Sequence, residues 1–121
     1  MESKVYDLKK RTYIYSLDVI RLLESLPKDY ISQTIGKQLL RSATSIGANI
    51  IESQASSSKK DFANFYSHSL KSANESKFWL SLLKDSNKAS SDKIVSILNE
   101  TNELSNILAS SILTMKDKRK F

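Results

Sequence analysis

Basic side chains are the residues whose number and placement most clearly suggest a chemistry in this chain. The 121 residues carry 19 Lys and Arg against 13 Asp and Glu, a formal net charge of +6. Such a charge favours polyanions as partners, because a basic surface attracts phosphate groups over several ångströms. The cations of interest fall near the two ends and the midpoint of the chain, and they are Lys9, Lys10, Arg11, Lys59, Lys60, Lys116, Lys118, Arg119 and Lys120.

Other reactive residue types are scarce. The chain has no Cys and one His, His68, which excludes disulfides, thiolate metal sites and the usual zinc sites built from several imidazoles. Lys71 and Ser72 occupy the positions three and four residues after His68, where a helical metal ligand would stand. No nucleophile elbow, phosphate-binding glycine loop or paired-carboxylate motif is present. We therefore predict a protein that is not an enzyme, with no catalytic, metal or cofactor-binding residues and no cofactor.

The pattern of apolar residues predicts the elements that must position these side chains. Two Gly and one Pro leave little turn chemistry for a β-rich fold. Apolar residues instead recur every three or four positions in four long segments, which is typical of packed α-helices. We predict a single all-α domain over residues 1–121, an antiparallel up-down-up-down four-helix bundle with helices at about 4–25, 30–53, 59–85 and 91–118.

The second helix is expected to make contacts on more than one side. Ala43, Gly47 and Ala48 would let a neighbouring helix approach closely, and each Gly in a helix interior costs about 1 kcal/mol relative to Ala. The first helix also carries apolar residues beside its packing seam, which runs from Val5 to Leu26. We expect a second contact at this apolar surface, either within the bundle or between chains.

An antiparallel bundle brings the start of the first helix, the connection between the second and third helices and the end of the fourth to one end. The nine cations would then gather there, beside the positive end of the third helix dipole. This arrangement predicts binding to a phosphate backbone without sequence preference, and the alternative is a solvated end that keeps the protein soluble. Apart from Tyr6, Tyr13 and Phe121, aromatic residues are not interleaved with the cluster, which argues against stacking on single strands.

Arg41 and Glu75 form a second constellation. Counting back from a connection centred near Ser56 places them within about one turn of each other across the second and third helices. We expect a buried or half-buried ion pair that penalises wrong registers, with Asn49 and Glu52 extending it toward the start of the third helix. Ligand binding at these residues is the alternative interpretation.

Three blocks of sequence resemble a known group of proteins. They are LRSATSIGANIIE at residues 40–52, SKKDF at 58–62 and SANESKFWL at 72–80, with LPK at 26–28 fitting the same pattern. In order and spacing they resemble the bacterial four-helix-bundle proteins encoded by intervening sequences of large-subunit ribosomal RNA genes. The same group includes the accessory variability protein of diversity-generating retroelements.

The resemblance implies a homopentameric bundle protein with a basic surface for nucleic acid and, in the retroelement branch, for a reverse transcriptase. Carried over by position, its signature polar residues would be Arg41, Ser45, Asn49, Glu52 and Glu75. Residues 53–55, SQA, depart from the glycine-containing, more basic turn of many relatives. This departure argues against a phosphate contact at that turn.

Taken together, these features predict an oligomeric scaffold that binds RNA or DNA through basic surfaces. The alternative is a protein-interaction adaptor, for example for a reverse transcriptase, that does not bind nucleic acid directly. The N-terminal residues lack the apolar core of a signal peptide, and no stretch approaches the ~20 apolar residues needed to span a bilayer. We expect a cytoplasmic protein without membrane contact.

Overall fold

The computed structural model describes the backbone of residues 4–119 and the side chains of residues 8–117, and within that range it contains four α-helices and no strand. The helices are α1 (Lys4–Glu24), α2 (Tyr30–Ser53), α3 (Lys59–Asp85) and α4 (Ser91–Arg119). The predicted all-α bundle is confirmed. Each helix begins and ends within one residue of the predicted position.

The helix ends follow from local side chains. Asp29 caps α2, its carboxylate accepting hydrogen bonds from the Ser32 backbone N–H at 2.9 Å and the Ser32 hydroxyl at 2.8 Å. Ser58 caps α3 by accepting from the Asp61 backbone N–H at 3.0 Å. After α3, Asn87 adopts a left-handed backbone conformation with φ of 59°, which Asn tolerates better than most residues. The Lys88 N–H then donates to the Leu83 carbonyl at 2.9 Å, closing the helix end.

The four helices form an antiparallel square in which α1 and α3 each pack against α2 and α4. The registers follow from individual contacts between side chains. Gly47 of α2 lies against Thr12 of α1. Tyr15 of α1 shares a hydrogen bond of 2.7 Å with Thr101 of α4. This topology places the start of α1, the α2–α3 connection and the end of α4 at one end of the bundle.

The core is formed by the three-four apolar pattern of every helix. Burial raises the pKa of Tyr15 to about 12, since its ionised form would lose most of its hydration. Among the described residues, the largest side chains that are almost completely enclosed are Leu8, Tyr15, Leu22, Leu39, Ile46, Ile50, Tyr66, Leu80, Leu83, Ile94, Leu104 and Leu108. Each helix contributes three of them, and the contact between α2 and α3 also contains small residues.

Hydroxyl groups join α2 to α3 across this small-residue seam. The Ser69 hydroxyl donates to the Ile46 carbonyl at 2.8 Å. The hydroxyls of Ser42 and Ser76 lie 2.9 Å apart and share a hydrogen bond. Ala73 of α3 is also fully buried. Because these residues are short, the two helix backbones approach closely enough for a side chain to reach the opposite backbone.

Apolar residues remain exposed on α1 and α2. Tyr13, Ile14 and Ile20 are exposed, as expected for residues beside the α1 seam. Ile31 at the start of α2 is 54% exposed, because Ser32 and Gly36 occupy the buried side of the first turns of that helix. Over residues 4–119, no helix is both long and apolar enough to cross a membrane.

Candidate nucleic-acid interface

Five of the predicted cations are exposed at or near the same end of the bundle. Lys9 and Lys10 follow the first turn of α1, Lys59 and Lys60 begin α3, and Lys116 lies near the end of α4. Among the described side chains, none of the five has a carboxylate within 4.0 Å. Their ammonium groups are therefore available to solvent and to anions at the positive end of the α3 dipole.

Arg11 does not belong to this group of solvated cations. It is half-buried on the side of α1 that faces α4, and its Nε donates to Glu100 Oε2 at 3.1 Å. Its Nη2 donates to Glu100 Oε1 at 2.7 Å and to Glu103 Oε2 at 3.4 Å. Two carboxylates thus balance the Arg11 charge within the α1–α4 contact. In the sequence, the only sign of this pairing is the spacing of Glu100 and Glu103, which places two carboxylates one turn apart on α4.

The predicted cluster also included Lys118, Arg119 and Lys120. The α4 backbone continues to Arg119. The side chains of Lys118 and Arg119, and the whole of Lys120, lie outside the described residues.

A row of exposed residues along α3 extends away from the basic end, and sequence reasoning missed it as a unit. Positions on one side of the helix recur at spacings of three, four, seven and eleven residues. We call this row the α3 strip, and it consists of Lys60, Asn64, His68, Lys71, Asn74 and Phe78, all exposed. Phe78 therefore shares a helix face with two lysines. Its distance in sequence from Lys60 and Lys71 hides this arrangement until the residues are placed on a helix.

Beside the strip, Arg41 of α2 is paired with Glu75 of α3 through Nη2 and Oε2, which confirms the predicted ion pair. The Trp79 indole Nε1 donates to the same carboxylate oxygen at 2.9 Å. The Gln38 side-chain oxygen accepts from Arg41 Nη2 at 3.0 Å and from Arg41 Nε at 3.3 Å. The carboxylate thus holds both the guanidinium and the indole in fixed positions.

This pair is more solvated than predicted, with the Arg41 side chain 57% exposed and the Glu75 side chain 36% exposed. The hydrogen bond from Trp79, assisted by Arg41, lowers the pKa of Glu75, so the group is ionised at neutral pH. Exposure limits the net stabilisation from such a pair to roughly 0.2–1 kcal/mol. Its main consequence is geometric, because it fixes Trp79 at the surface.

The other signature residues do not extend the pair toward α3. The Ser45 hydroxyl donates to the Arg41 carbonyl at 2.7 Å, and the Asn49 amide donates to the Ser45 carbonyl at 2.8 Å. Both side chains therefore bond to their own helix. Glu52 is exposed, and among the described residues it forms no ion pair within 4.0 Å, with Lys59 and Lys60 or with any other cation. The predicted extension is wrong, because a bond within one helix turn satisfies the Asn49 amide and Glu52 lies in solvent.

A groove of about 600 Å³ lies between α1 and α2 on the outside of the bundle. Gly47 forms part of its floor, where a Cβ would lie 3.0 Å from the Thr12 hydroxyl. Its walls include Tyr13, which is 68% exposed, and Ile51, which is 49% exposed. We call this the α1–α2 groove, and it is lined by Lys9, Lys10, Thr12, Tyr13, Ser16, Thr44, Gly47, Ala48 and Ile51. It is mostly apolar, with two cations at one edge.

His68 lies exposed on the α3 strip. Within the part of the chain that the structure describes, no three His, Asp or Glu side chains are grouped so that they could hold a metal ion. The site therefore offers lysine charge, amide groups and one exposed ring. These are groups that bind anions and flat apolar surfaces.

Comparison with solved structures gives a close relative. A crystal structure of a protein of unknown function from the S23 ribosomal protein family of Bacteroides thetaiotaomicron VPI-5482 is 34% identical to this chain, with a TM-score of 0.84. The match covers 91% of this chain and 98% of that one. A search of curated proteins gives no match.

The model of the 23S rRNA-intervening sequence protein family matches residues 4–110, which is most of the chain. The chain belongs to the 23S rRNA-intervening sequence protein family.

Proposed function

We propose that this protein is a non-enzymatic, homopentameric scaffold that binds RNA or DNA without sequence preference through its basic surfaces. The observation that carries the proposal is the group of five exposed lysines without carboxylate partners at one end of the bundle. The net charge of +6 supports it. A cytoplasmic location accompanies the proposal, since that is where bacterial nucleic acids are found.

Such binding would be governed by the release of counterions from the phosphate backbone. Each phosphate neutralised on a duplex contributes about −0.9 to the slope of log affinity against log salt concentration, and about −0.7 on a single strand. Lys9, Lys10, Lys59, Lys60 and Lys116 would set that slope at the basic end. Assembly into a ring would repeat these contacts in every copy and raise the overall affinity through effective concentration.

The α1–α2 groove supports the proposed assembly. Tyr13, Ile51 and the small residue Ala48 form an exposed surface that a helix from another copy could cover, and covering exposed apolar groups is the main driving force for association. The number five comes from the resemblance to the retroelement and intervening-sequence proteins. Light scattering on the purified chain tests the assembly independently of nucleic acid.

Fluorescence anisotropy with random-sequence RNA and duplex DNA at low salt, repeated at higher salt, tests nucleic-acid binding. We expect micromolar or tighter affinity with a steep salt dependence. Replacing both Lys59 and Lys60 with Ala should weaken binding by about tenfold and reduce the salt slope. The matched control replaces Lys37 and Lys93, which are exposed cations at the other end of the bundle, and should cost less than threefold. Absence of binding at micromolar protein, or equal losses in the two double variants, contradicts the proposal.

The second candidate function is a protein-interaction adaptor, for example for a reverse transcriptase, that does not contact nucleic acid. The apolar character of the α1–α2 groove favours it, because phosphate groups do not bind apolar walls. Capture of partners from bacterial lysate with and without nuclease treatment separates the two. A partner retained after nuclease digestion, together with absent nucleic-acid binding by the purified chain, would support the adaptor.

A further inference from the structure

We propose that the α3 strip is a binding track for single-stranded nucleic acid, with Phe78 as the residue on which a base stacks. This inference rests on the proposed function, since it specifies where and in what form the nucleic acid is bound. The strip runs from the basic end at Lys60 to Phe78, eighteen residues further along the helix, a distance of roughly 27 Å.

The charge of the strip suits a phosphate backbone. Lys60 and Lys71 are exposed without ion-pair partners among the described residues, and they lie on the same side of α3, roughly 16 Å apart. Glu75 is the acidic residue nearest the middle of the strip, and Arg41 and Trp79 both engage its carboxylate. Between Asn64 and Asn74, a strand that follows the strip would therefore meet little uncompensated negative charge, and the carboxylate of Asp61 lies at its start beside Lys60.

The exposed ring at the far end explains why the expected ligand is a single strand. Phe78 is 56% exposed, and its ring packs edge-on against Trp79 with centroids 5.0 Å apart at an interplanar angle of 69°. Trp79 is itself held by its hydrogen bond to Glu75, so the neighbouring ring is supported rather than loose. An exposed aromatic face can stack on an unpaired base, whereas the bases of a duplex are already stacked on one another.

The remaining strip residues complete the chemistry. Asn64 and Asn74 are exposed amides that can donate to phosphate oxygens or pair with base edges, without selecting one base. Lys71 precedes Phe78 by seven residues, about two helical turns, or roughly 10 Å. This separation is close to the reach of one or two nucleotides between a phosphate and a neighbouring base. A backbone contact at Lys71 and a stacked base at Phe78 can therefore be made by one strand.

Anisotropy with a labelled 20-nucleotide oligo(dT) and a duplex of the same length tests the track. We expect Phe78→Ala to weaken oligo(dT) binding about tenfold while changing duplex binding less than twofold, and Phe78→Tyr to restore oligo(dT) binding because a phenol ring also stacks. The matched control is Leu113→Ala, which removes an equally exposed apolar side chain from α4 and should leave both affinities unchanged. Thermal unfolding confirms that each variant is folded.

Trp79 provides a direct second readout, since it is the only tryptophan in the chain. A base stacked on Phe78 lies close to the indole and should quench its emission on saturation with oligo(dT), whereas binding confined to the basic end should not.

The failures are distinguishable. No binding of either nucleic acid by the unaltered protein overturns the proposed function and this inference together. Binding that Phe78→Ala does not weaken, or unquenched Trp79 emission at saturation, overturns the inference alone. If Phe78→Ala changes the mass measured by light scattering, the Phe78 side chain contributes to contacts between copies, and the inference is also overturned.

Discussion

On the side of α2 that faces α3, Ser42 is buried, and its hydroxyl shares a hydrogen bond with Ser76 across the seam. On the side that faces α1, Gly47 forms the floor of an open groove, and Ala48 lies exposed at its wall. Both sides of α2 contain small residues at helical spacing. One side is closed by its partner helix, whereas the other leaves an apolar surface in solvent.

The difference comes from what the neighbouring helices supply. α3 presents Ser69, Ala73 and Ser76, which are all buried and short enough for the backbones to meet over a long distance. α1 approaches α2 closely where Thr12 meets Gly47 and where Leu23 meets Gly36, but it carries the large, exposed Tyr13 beside Thr12. An open groove therefore remains next to the contact at Gly47. Small residues therefore close a seam only when both helices have them. Where one helix has them, they leave space that another molecule can occupy.

The largest expected effect compares two alanines five residues apart on α2. Ala43→Leu forces three heavy atoms into the packed core, where Ala43 is fully buried, and should cost about 3 kcal/mol of unfolding free energy, a loss of roughly 10 °C in the unfolding midpoint. Ala48→Leu adds the same atoms to the open groove and should change the part of the free energy of unfolding that does not depend on chain concentration by less than about 0.5 kcal/mol.

Urea unfolding of both variants at two chain concentrations measures these effects, because any stability linked to assembly depends on concentration whereas packing within one chain does not. Equal costs for Ala43→Leu and Ala48→Leu would remove the distinction between the two sides.

A second pair of substitutions tests how closely α1 approaches α2. A Cβ on Gly47 would lie 3.0 Å from the Thr12 hydroxyl oxygen and 3.1 Å from its Cβ, in a buried and rigid residue. A Cβ on Gly36 would meet the flexible ends of Leu23 and Leu26, each at 3.2 Å. Ala gains about 1 kcal/mol over Gly in a helix, so Gly36→Ala should be neutral or stabilising. Gly47→Ala should lose about 1 kcal/mol overall, because overpacking outweighs that gain.

Thermal unfolding of the two glycine variants checks this order. Adding Thr12→Ala to Gly47→Ala should recover part of the loss, since it removes the clashing hydroxyl. A Gly47→Ala variant that is more stable than the unaltered protein would show that the helices do not touch there.

A third pair of substitutions compares two serine hydroxyls, Ser69 of α3 and Ser45 of α2. Ser69→Ala removes a hydrogen bond that crosses to the Ile46 carbonyl and should cost about 1 kcal/mol. Ser45→Ala removes a bond within α2 itself and should be neutral, because Ala is a better helix former. Chemical denaturation measures the free energy of unfolding of the two variants. A larger loss in Ser45→Ala than in Ser69→Ala would show that the bond between helices is not the more stabilising of the two.

The smallest expected effect depends on pH. The carboxylate of Glu75 has a lowered pKa in the folded protein, so its contribution to stability is present above the pKa of the unfolded chain and is lost as the pH falls through the folded value. Glu75→Gln should therefore cost up to about 1 kcal/mol at pH 7, and the difference from the unaltered protein should shrink below about pH 4. Denaturant unfolding at several pH values follows this change, with Glu52→Gln, at an exposed carboxylate, as the control.

The sequence was sufficient for the fold because the apolar spacing, Pro27 and the capping residues Asp29 and Ser58 all agree on the same four helices. It was also sufficient for the Arg41–Glu75 pair, since register in an antiparallel hairpin follows from counting. It failed for Asn49, whose amide bonds to its own helix. Periodicity identifies the side of a helix that a polar residue occupies but not whether a neighbouring carbonyl has already satisfied it.

The candidate site was less predictable than the fold. Arg11 was grouped with the solvated lysines because its sequence neighbours are basic, whereas its position on α1 directs it to Glu100 of α4. Phe78 was assigned no role because it is far in sequence from the basic clusters. Its alignment with Lys60 and Lys71 emerges only when α3 is treated as one straight surface.

The mass of the assembled protein, measured by light scattering for the unaltered chain and for Ala48→Leu, tests the central claim most directly. If the open side of α2 is where copies meet, the unaltered protein should have five times the chain mass of 13.7 kDa, and Ala48→Leu should lower the mass while remaining folded. A mass of 13.7 kDa for the unaltered protein, or an unchanged assembly in Ala48→Leu, would contradict the account.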